Sequence, residues 1–301
     1  MSRTTTQDRV PSSWNARLST AGSPVCAPDW LALREPADAA ARASALVEQL
    51  VATFLGTRPP EEPLVVRDLG CGTGSVARWL AGRLPAPASS QHWVLHDRDP
   101  VLLRRAAASL PAGVTAETCP GDLTDVDAGQ LAGTALVTCS ALLDLLTAQE
   151  VEDVAEAVTT AGCPALLTLS VAGSVAITPA DPLDGAFAAA FDAHQRRTED
   201  GRQLLGPDAV GVAAEAFRRR GATVTIAPSA WRLGPAEAEL AEEWLRGWIE
   251  AACVRRPALR AAGDDYLRRR LAAAAAGELR VVVGHEDLLA LPAGCPRGGR
   301  S

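Results

Sequence analysis

One turn, Asp68-Leu69-Gly70-Cys71-Gly72-Thr73-Gly74, constrains the fold more than any other feature of this chain. It stands between a short apolar run, Leu64-Val65-Val66, and a helix-spaced stretch from Ser75 to Leu84. Strand, glycine loop and helix in that order open an α/β sheet, and such sheets bind ligands at the carboxyl edge of their strands. The alternation continues. Trp93-Val94-Leu95 reads as a second strand, followed by Asp99 as N-cap and Pro100 at the first helical position. A third strand is expected within 113–118 and a fourth over Ala135 to Cys139. Thr147 and Glu150 form a capping box whose helix sets Val151, Val154, Ala155 and Val158 on one face and stops at Gly162. A fifth strand over Ala165 to Val171, a helix from Asp208 to Arg220 and a sixth strand from Ala222 to Ala227 follow. Helices from Pro235 to about Cys253 and near 258–275, then a last strand over Leu279 to Gly284, complete the pattern. Short strands alternating with helices predict a doubly wound, mostly parallel sheet.

Apolar residues at helical spacing, including Leu46, Val47, Leu50 and Val51, precede the Pro59-Pro60 hinge and predict a helical N-terminal cap over 29–58. Residues 1–28 read as a mobile arm, 60–291 as the main domain with substrate-side insertions at 180–205 and 234–277, and 292–301 as a tail. All 29 basic residues are Arg, which removes lysine nucleophiles, Schiff bases and the phosphate-loop lysine. A net charge of −7 opposes general nucleic-acid binding, which rests on clustered cations, so a small-molecule partner is expected. The seven Cys are scattered without a CxxC pair, which argues for a reducing compartment and against a metal site. No apolar run approaches the ~18 residues of a membrane span. The first thirty residues have no hydrophobic leader core, so a cytoplasmic protein without a membrane partner is expected.

The loop departs from the dinucleotide fingerprint in two ways. Its third glycine would fall at Ser75, and an acid, Asp68, precedes it. A pyrophosphate approaching Asp68 loses Coulomb energy, whereas a ligand carrying an ammonium and a sulfonium gains it, by roughly 1 to 4 kcal/mol at close range.

With Asp97 closing Trp93-Val94-Leu95-His96-Asp97, the Asp68 to Gly74 stretch resembles the class I S-adenosylmethionine-dependent methyltransferases. The resemblance covers about residues 60–175 and implies a Rossmann-like, seven-stranded sheet with its last strand antiparallel. It also implies S-adenosylmethionine as cofactor. By this resemblance Asp68 and the backbone at Gly70, Gly72 and Gly74 cradle the methionine part, Asp97 accepts both ribose hydroxyls, and Asp122 of Gly121-Asp122-Leu123 takes the adenine amino group. The expected cofactor set is Asp68, Gly70, Cys71, Gly72, Gly74, Asp97, Arg98, Asp122, Leu123 and Ser140. Ser140-Ala141-Leu142-Leu143-Asp144 stands where the family places a motif beside the transferring methyl, with the usual aromatic or His residues replaced. The outer segments His194-Gln195-Arg196-Arg197, Leu205-Gly206-Pro207-Asp208-Ala209 and Val283-Gly284-His285-Glu286-Asp287 resemble a bacterial methyltransferase group.

His194 and Asp144 are the expected bases, if the acceptor needs one. Arg34, Arg197 and Trp231 are the expected substrate-side residues. Arg34 and Asp38, one helical turn apart, also read as a simple surface pair, and His285 as a structural hydrogen-bonder. Arg218-Arg219-Arg220 reads as a solvated helix end and Trp244 with Trp248 as core. The expected reaction is in-line methyl transfer to a small oxygen or nitrogen nucleophile, a carboxylate included. A non-catalytic scaffold of the same fold, and an NAD-dependent oxidoreductase, which Ser75 and Asp68 oppose, are the alternatives.

Overall fold

The structure, a computed structural model, describes residues 26–59, 62–87 and 90–293. Most of the expected arm, Pro60 of the hinge, and the tail from residue 294 with Cys295 lie outside the described residues.

Two helices come first, α1 (Pro28–Ala41) and α2 (Ser44–Thr53), as the apolar spacing predicts. The strand-helix alternation follows as β1 (Leu64–Leu69), α3 (Ser75–Leu80), β2 (Gln91–Asp97), α4 (Pro100–Ala108), β3 (Thr115–Pro120) and β4 (Leu136–Ser140). Then come α5 (Ala148–Ala161), β5 (Ala165–Thr178), α6 (Asp184–Gln195) and a small hairpin of β6 (Thr198–Glu199) and β7 (Arg202–Gln203). The chain continues through α7 (Ala209–Arg219), β8 (Thr223–Pro228), β9 (Trp231–Leu233), α8 (Ala238–Arg255), α9 (Arg260–Ala275) and β10 (Arg280–Leu291). Both capping signals hold locally: the Asp99 side chain accepts from Val101 N–H, and the Thr147/Glu150 box is formed at both bonds.

Seven strands make the main sheet in the order β3-β2-β1-β4-β5-β10-β8, with β9 joined to β10. The pairs among β1 to β5 are parallel, whereas β10 is antiparallel to β5, β8 and β9. This is the Rossmann-like arrangement expected, with the last strand reversed.

One face of the sheet buries Val137, Leu167 and Leu288 against α5 and α7. The other buries Val66, Trp93, Leu95 and Leu136 against α2 and α3. A third core lies beyond the sheet proper, where α1, α6, α8 and α9 close over the outer halves of β5 and β10. Phe187 stacks on Tyr266 there at 4.5 Å between ring centroids, and Trp244 on Trp248 at 5.2 Å. Those tryptophans are core, as read from their spacing, and Arg219 and Arg220 pair with Glu152 at the protein surface.

Three details differ from the sequence-based expectation. Helix α3 stops at Leu80 and tightens into a 3-10 turn over Ala81–Arg83. The third strand, Thr115–Pro120, runs past the stretch 113–118 expected to hold it. The largest difference is in β5 and β10, which run 14 and 12 residues rather than the shorter strands expected. Polar Ser170, Ser174, Glu286 and Asp287 interrupt their apolar patterns, and long-range pairing overrides that interruption.

The β5–β10 pair is irregular at its middle. Register shifts fall between Val283 and His285 and between Glu286 and Leu288, and Leu169 opposite adopts φ +57°. Fully buried Asp287 holds this kink: its Oδ1 accepts from Leu169 N–H at 2.7 Å and its Oδ2 from Ala43 N–H at 2.8 Å. One carboxylate thus ties the strand kink to the α1–α2 junction. Removing it leaves two backbone donors unpaired, at about 1 to 3 kcal/mol each. Asp287→Ala is expected to lower unfolding free energy by roughly 2 to 5 kcal/mol in denaturant titration, with hydrogen exchange accelerated first at Ala43 and Leu169.

Candidate functional site

Strand order reverses between β1 and β4, so the turns that follow these two strands face one crevice. The first is the glycine loop. Gly70 has φ +68°, and a Cβ there would overlap the Leu142 side chain from the second turn, so a side chain at 70 is excluded twice over. Gly72 N–H donates to Asp97 Oδ2 at 2.9 Å, and Asp97 Oδ1 accepts from Asp99 N–H at 2.9 Å. The carboxylate ending β2 is therefore stitched to the loop, with burial raising its pKa and these two backbone bonds opposing the rise. The Cys71 thiol is buried beside them, and desolvation followed by Asp68 pushes its pKa up. Arg78 clamps the loop from outside, donating to the Thr73 carbonyl at 2.5 Å and, through Nε and Nη2, to Glu35 of α1 at 2.6 and 2.5 Å.

Beneath the loop lies a buried pair of opposite charges. Asp68 is 1% exposed. Its Oδ1 accepts from the Thr138 hydroxyl at 2.7 Å, while its Oδ2 has no partner. Burial pushes its carboxyl up to about 7, against the lowering effects of Thr138 and Arg42. Arg42, which nothing in the sequence singled out, is 3% exposed. Its Nη2 donates to Ser75 Oγ at 3.1 Å and Ser140 Oγ at 3.3 Å, leaving Nε and Nη1 unpartnered. Its guanidinium lies 5.4 Å from the Trp79 ring, and Ser140 is held in turn by the Thr168 hydroxyl at 3.0 Å.

The other expected cofactor residues are more loosely placed. Asp122 caps the turn after β3, its Oδ1 accepting from Thr124 N–H at 3.1 Å and Thr124 Oγ1 at 2.9 Å. Leu123 packs half-buried on the α5–α7 core, and Arg98 is exposed.

Across the crevice, Asp144 sits in the turn after β4, pushed up to about 6 by burial, with Arg34 and Arg197 acting against that rise. Arg34 and Asp38 are not the exposed pair their spacing allowed: Asp38 is buried and Arg34 half-buried, with Nε and Nη2 donating to Asp38 at 2.9 and 3.2 Å. Trp231 Nε1 donates to the same carboxylate at 2.9 Å, and the Arg34 guanidinium lies 4.9 Å from the Trp231 ring. Asp38 is thus the hub that brings Arg34 and Trp231, nearly two hundred residues apart, onto one wall.

The hairpin β6–β7 completes that side. Arg202 reaches Glu150 at 2.7 Å and the Leu145 carbonyl at 3.2 Å, docking the hairpin beside the Asp144 turn. Arg197 at its base pairs with Glu199 at 2.8 Å. His194, at the end of α6, is half-buried and pushed down to about 4 by desolvation and then Arg197, so it is neutral near pH 7. Arg197 neighbours both expected bases, yet the other charges acting on His194 are Glu199 and Arg255, outside both turns.

Sequence reasoning missed Arg42 and the hydroxyls of Ser75, Thr138 and Thr168, and paired Asp38 with Arg34 without the bond from Trp231. An arginine closing a helix carries no local signal of being buried, so only the packing of α1 on the loop could reveal it.

Residues 66–162 match the family model described as a methyltransferase domain. No curated protein matches the chain. Among solved structures, the cyclopropane synthase MmaA2 from Mycobacterium tuberculosis is similar at 14% identity and TM-score 0.43, covering 82% of this chain and 83% of that one. Magnesium protoporphyrin IX methyltransferase from Synechocystis is similar at 15% and TM-score 0.42, covering 72% and 85%. A TehB-like methyltransferase from Corynebacterium glutamicum is similar at 16% and TM-score 0.34, covering 60% and 74%. No helix among the described residues is long and apolar enough to cross a membrane.

The raised pKa of Asp68 has a stability consequence of definite sign. With a folded value of about 7 against the ordinary 3.8, the unfolded chain releases this proton first, so stability falls as pH rises between those values. Asp68→Asn is expected to remove that slope from melting curves recorded without ligand between pH 4 and 8. The stretch that matches the methyltransferase-domain model, residues 66–162, is the first half of the sheet and holds the glycine loop and Asp97.

Proposed function

We propose that this enzyme methylates a small molecule, with the amino-acid end of the donor held between Asp68 and Arg42. The observation that carries this reading is the two buried groups themselves: a carboxyl with one oxygen unpartnered and a guanidinium with two nitrogens unpartnered, both at the glycine loop. A buried charge left short of partners costs several kcal/mol, and a zwitterionic α-amino acid supplies both complements at once, its ammonium to Asp68 and its carboxylate to Arg42. A nicotinamide dinucleotide carries neither group. Asp97, an acceptor-only carboxylate anchored by two backbone donors, suits the two ribose hydroxyls, with Arg98 at the rim of that subsite. Asp122 has one oxygen left for the adenine amino group after capping its turn, and Leu123 offers the base an apolar edge.

When bound, S-adenosylmethionine supplies a methyl group already activated on a positive sulfur, which a nucleophile displaces in line while the sulfur leaves as a neutral thioether. The protein's work is then positioning and exclusion of water, for which ~7 to 11 kcal/mol of barrier lowering is available. Asp144 receives the proton that the acceptor loses, because a carboxyl raised to about 6 is a useful base near neutral pH. Arg34, Arg197 and Trp231 line the acceptor side, and the insertions at 180–205 and 234–277 set what enters. His194, held neutral beyond Arg197, serves as a polar neighbour of that wall.

Two measurements test the reading. Calorimetry with S-adenosylhomocysteine and 5′-methylthioadenosine on Arg42→Met is expected to show about 10- to 100-fold weaker binding of the first, and no change for the second, which lacks the amino-acid end. Equal losses for both, or tight NAD binding by the wild type, refute it. Turnover with an acceptor found by screening is expected to fall as pH drops below about 6, and Asp144→Asn is expected to abolish that limb.

A further inference from the structure

His285 lies in β10 at the kink, 6% exposed. Its Nδ1 is 3.1 Å from the Val283 carbonyl oxygen. A carbonyl only accepts, so Nδ1 carries the proton and Nε2 is left with a bare lone pair. Among the described residues nothing hydrogen-bonds that Nε2. Unlike Asp68 Oδ2, that atom is not sealed from solvent, so it stays open to a partner entering from outside the protein.

The backbone around the ring is shaped for it. The register of β10 shifts between Val283 and His285, and a Cβ at Gly284 would overlap the Ser174 hydroxyl, so the strand is pressed onto β5 next to the ring. The ring meets Trp231 at 5.2 Å between centroids. Arg34, whose guanidinium covers Trp231, acts electrostatically on His285 and on Asp144 alike. Trp231 donates to the same Asp38 carboxylate as Arg34, so His285, against Trp231, lies on the wall assigned above to the acceptor. Burial and the Arg34 cation hold it neutral, pushed down to about 3, so its lone pair is available at every working pH.

We propose that His285 Nε2 accepts a hydrogen bond from the methyl acceptor itself, so that the site takes a protic nucleophile, a hydroxyl or an N–H group, and rejects a carboxylate. The proposal rests on the methyltransferase reading above and narrows its acceptor. A carboxylate is acceptor-only and would meet the bare lone pair with repulsion, whereas an O–H or N–H bonded to Nε2 is turned with a lone pair free for the methyl, and its proton, made acidic once the new bond has formed, goes on to Asp144 as the stronger base.

The test uses the full chain, 15N-labelled at its four histidines, loaded with S-adenosylhomocysteine and observed by NMR, with phenol and benzoate as probes. Signals are assigned by single His→Gln variants. The expected result is a His285 protonated at Nδ1 and bare at Nε2 from pH 5 to 9, its Nε2 signal shifted by phenol and unmoved by benzoate. His285→Gln, whose carbonyl oxygen still accepts, is expected to keep phenol binding by saturation transfer. His285→Phe is expected to weaken it at least tenfold while S-adenosylhomocysteine affinity holds. A proton on Nε2, a response to benzoate, or an Nε2 indifferent to phenol up to its solubility overturns the proposal. Failure of S-adenosylhomocysteine to bind the wild type would instead overturn the reading of the cofactor site.

Discussion

The carboxylate of Asp287 joins three segments that have no other reason to meet. It accepts from Ala43 between the first two helices and from Leu169 in the kinked fifth strand, while sitting in the last strand itself. Arg42 precedes Ala43, and His285 lies two residues before Asp287, so one buried acid sets the backbone from which both side chains project. Charge-assisted bonds to backbone N–H groups are about twice as strong as neutral ones. That strength suits a junction where the sheet is irregular and regular ladder bonds are missing.

The cleft is governed by charges removed from water. Asp68, Arg42, Arg34, Asp38 and Asp144 are each buried or nearly so, and they fall into two groups of different character. Arg34 and Asp38 satisfy each other, with Trp231 completing the set, and behave as scaffolding. Asp68 and Arg42 do not satisfy each other, because each is held back by neutral hydroxyls on Thr138, Ser75 and Ser140. At an effective dielectric near 20, two unit charges about 4 Å apart interact by roughly 4 kcal/mol, more than a neutral hydrogen bond contributes. A zwitterion entering between them would therefore gain more than any rearrangement of the hydroxyls could return.

Much of this was legible in the residues. The order of strands and helices, the two caps at Asp99 and Thr147, and the glycine loop all depend on short-range stereochemistry, and the structure reproduces them. What misled was polarity inside strands: Asp287 fell outside the expected last strand because pattern reading assumes that buried strand positions are apolar, whereas here a buried acid is satisfied by backbone donors from other segments. Arg34 with Asp38 was ambiguous for the same reason, since an i, i+4 pair has the same spacing on a surface as under a tryptophan contributed by β9.

The sequence alone determined the class of sheet, the position of its ligand edge and the sign of charge ahead of the glycine loop, because each follows from residues adjacent along the chain. Only the tertiary structure decided that Arg42 is buried against Ser75 and Ser140, that Asp38 gathers Arg34 and Trp231, and that His285 keeps one nitrogen unbonded. Those facts depend on contacts across dozens to hundreds of residues, whose closure is driven by burial of three separate apolar cores and carries no local periodicity.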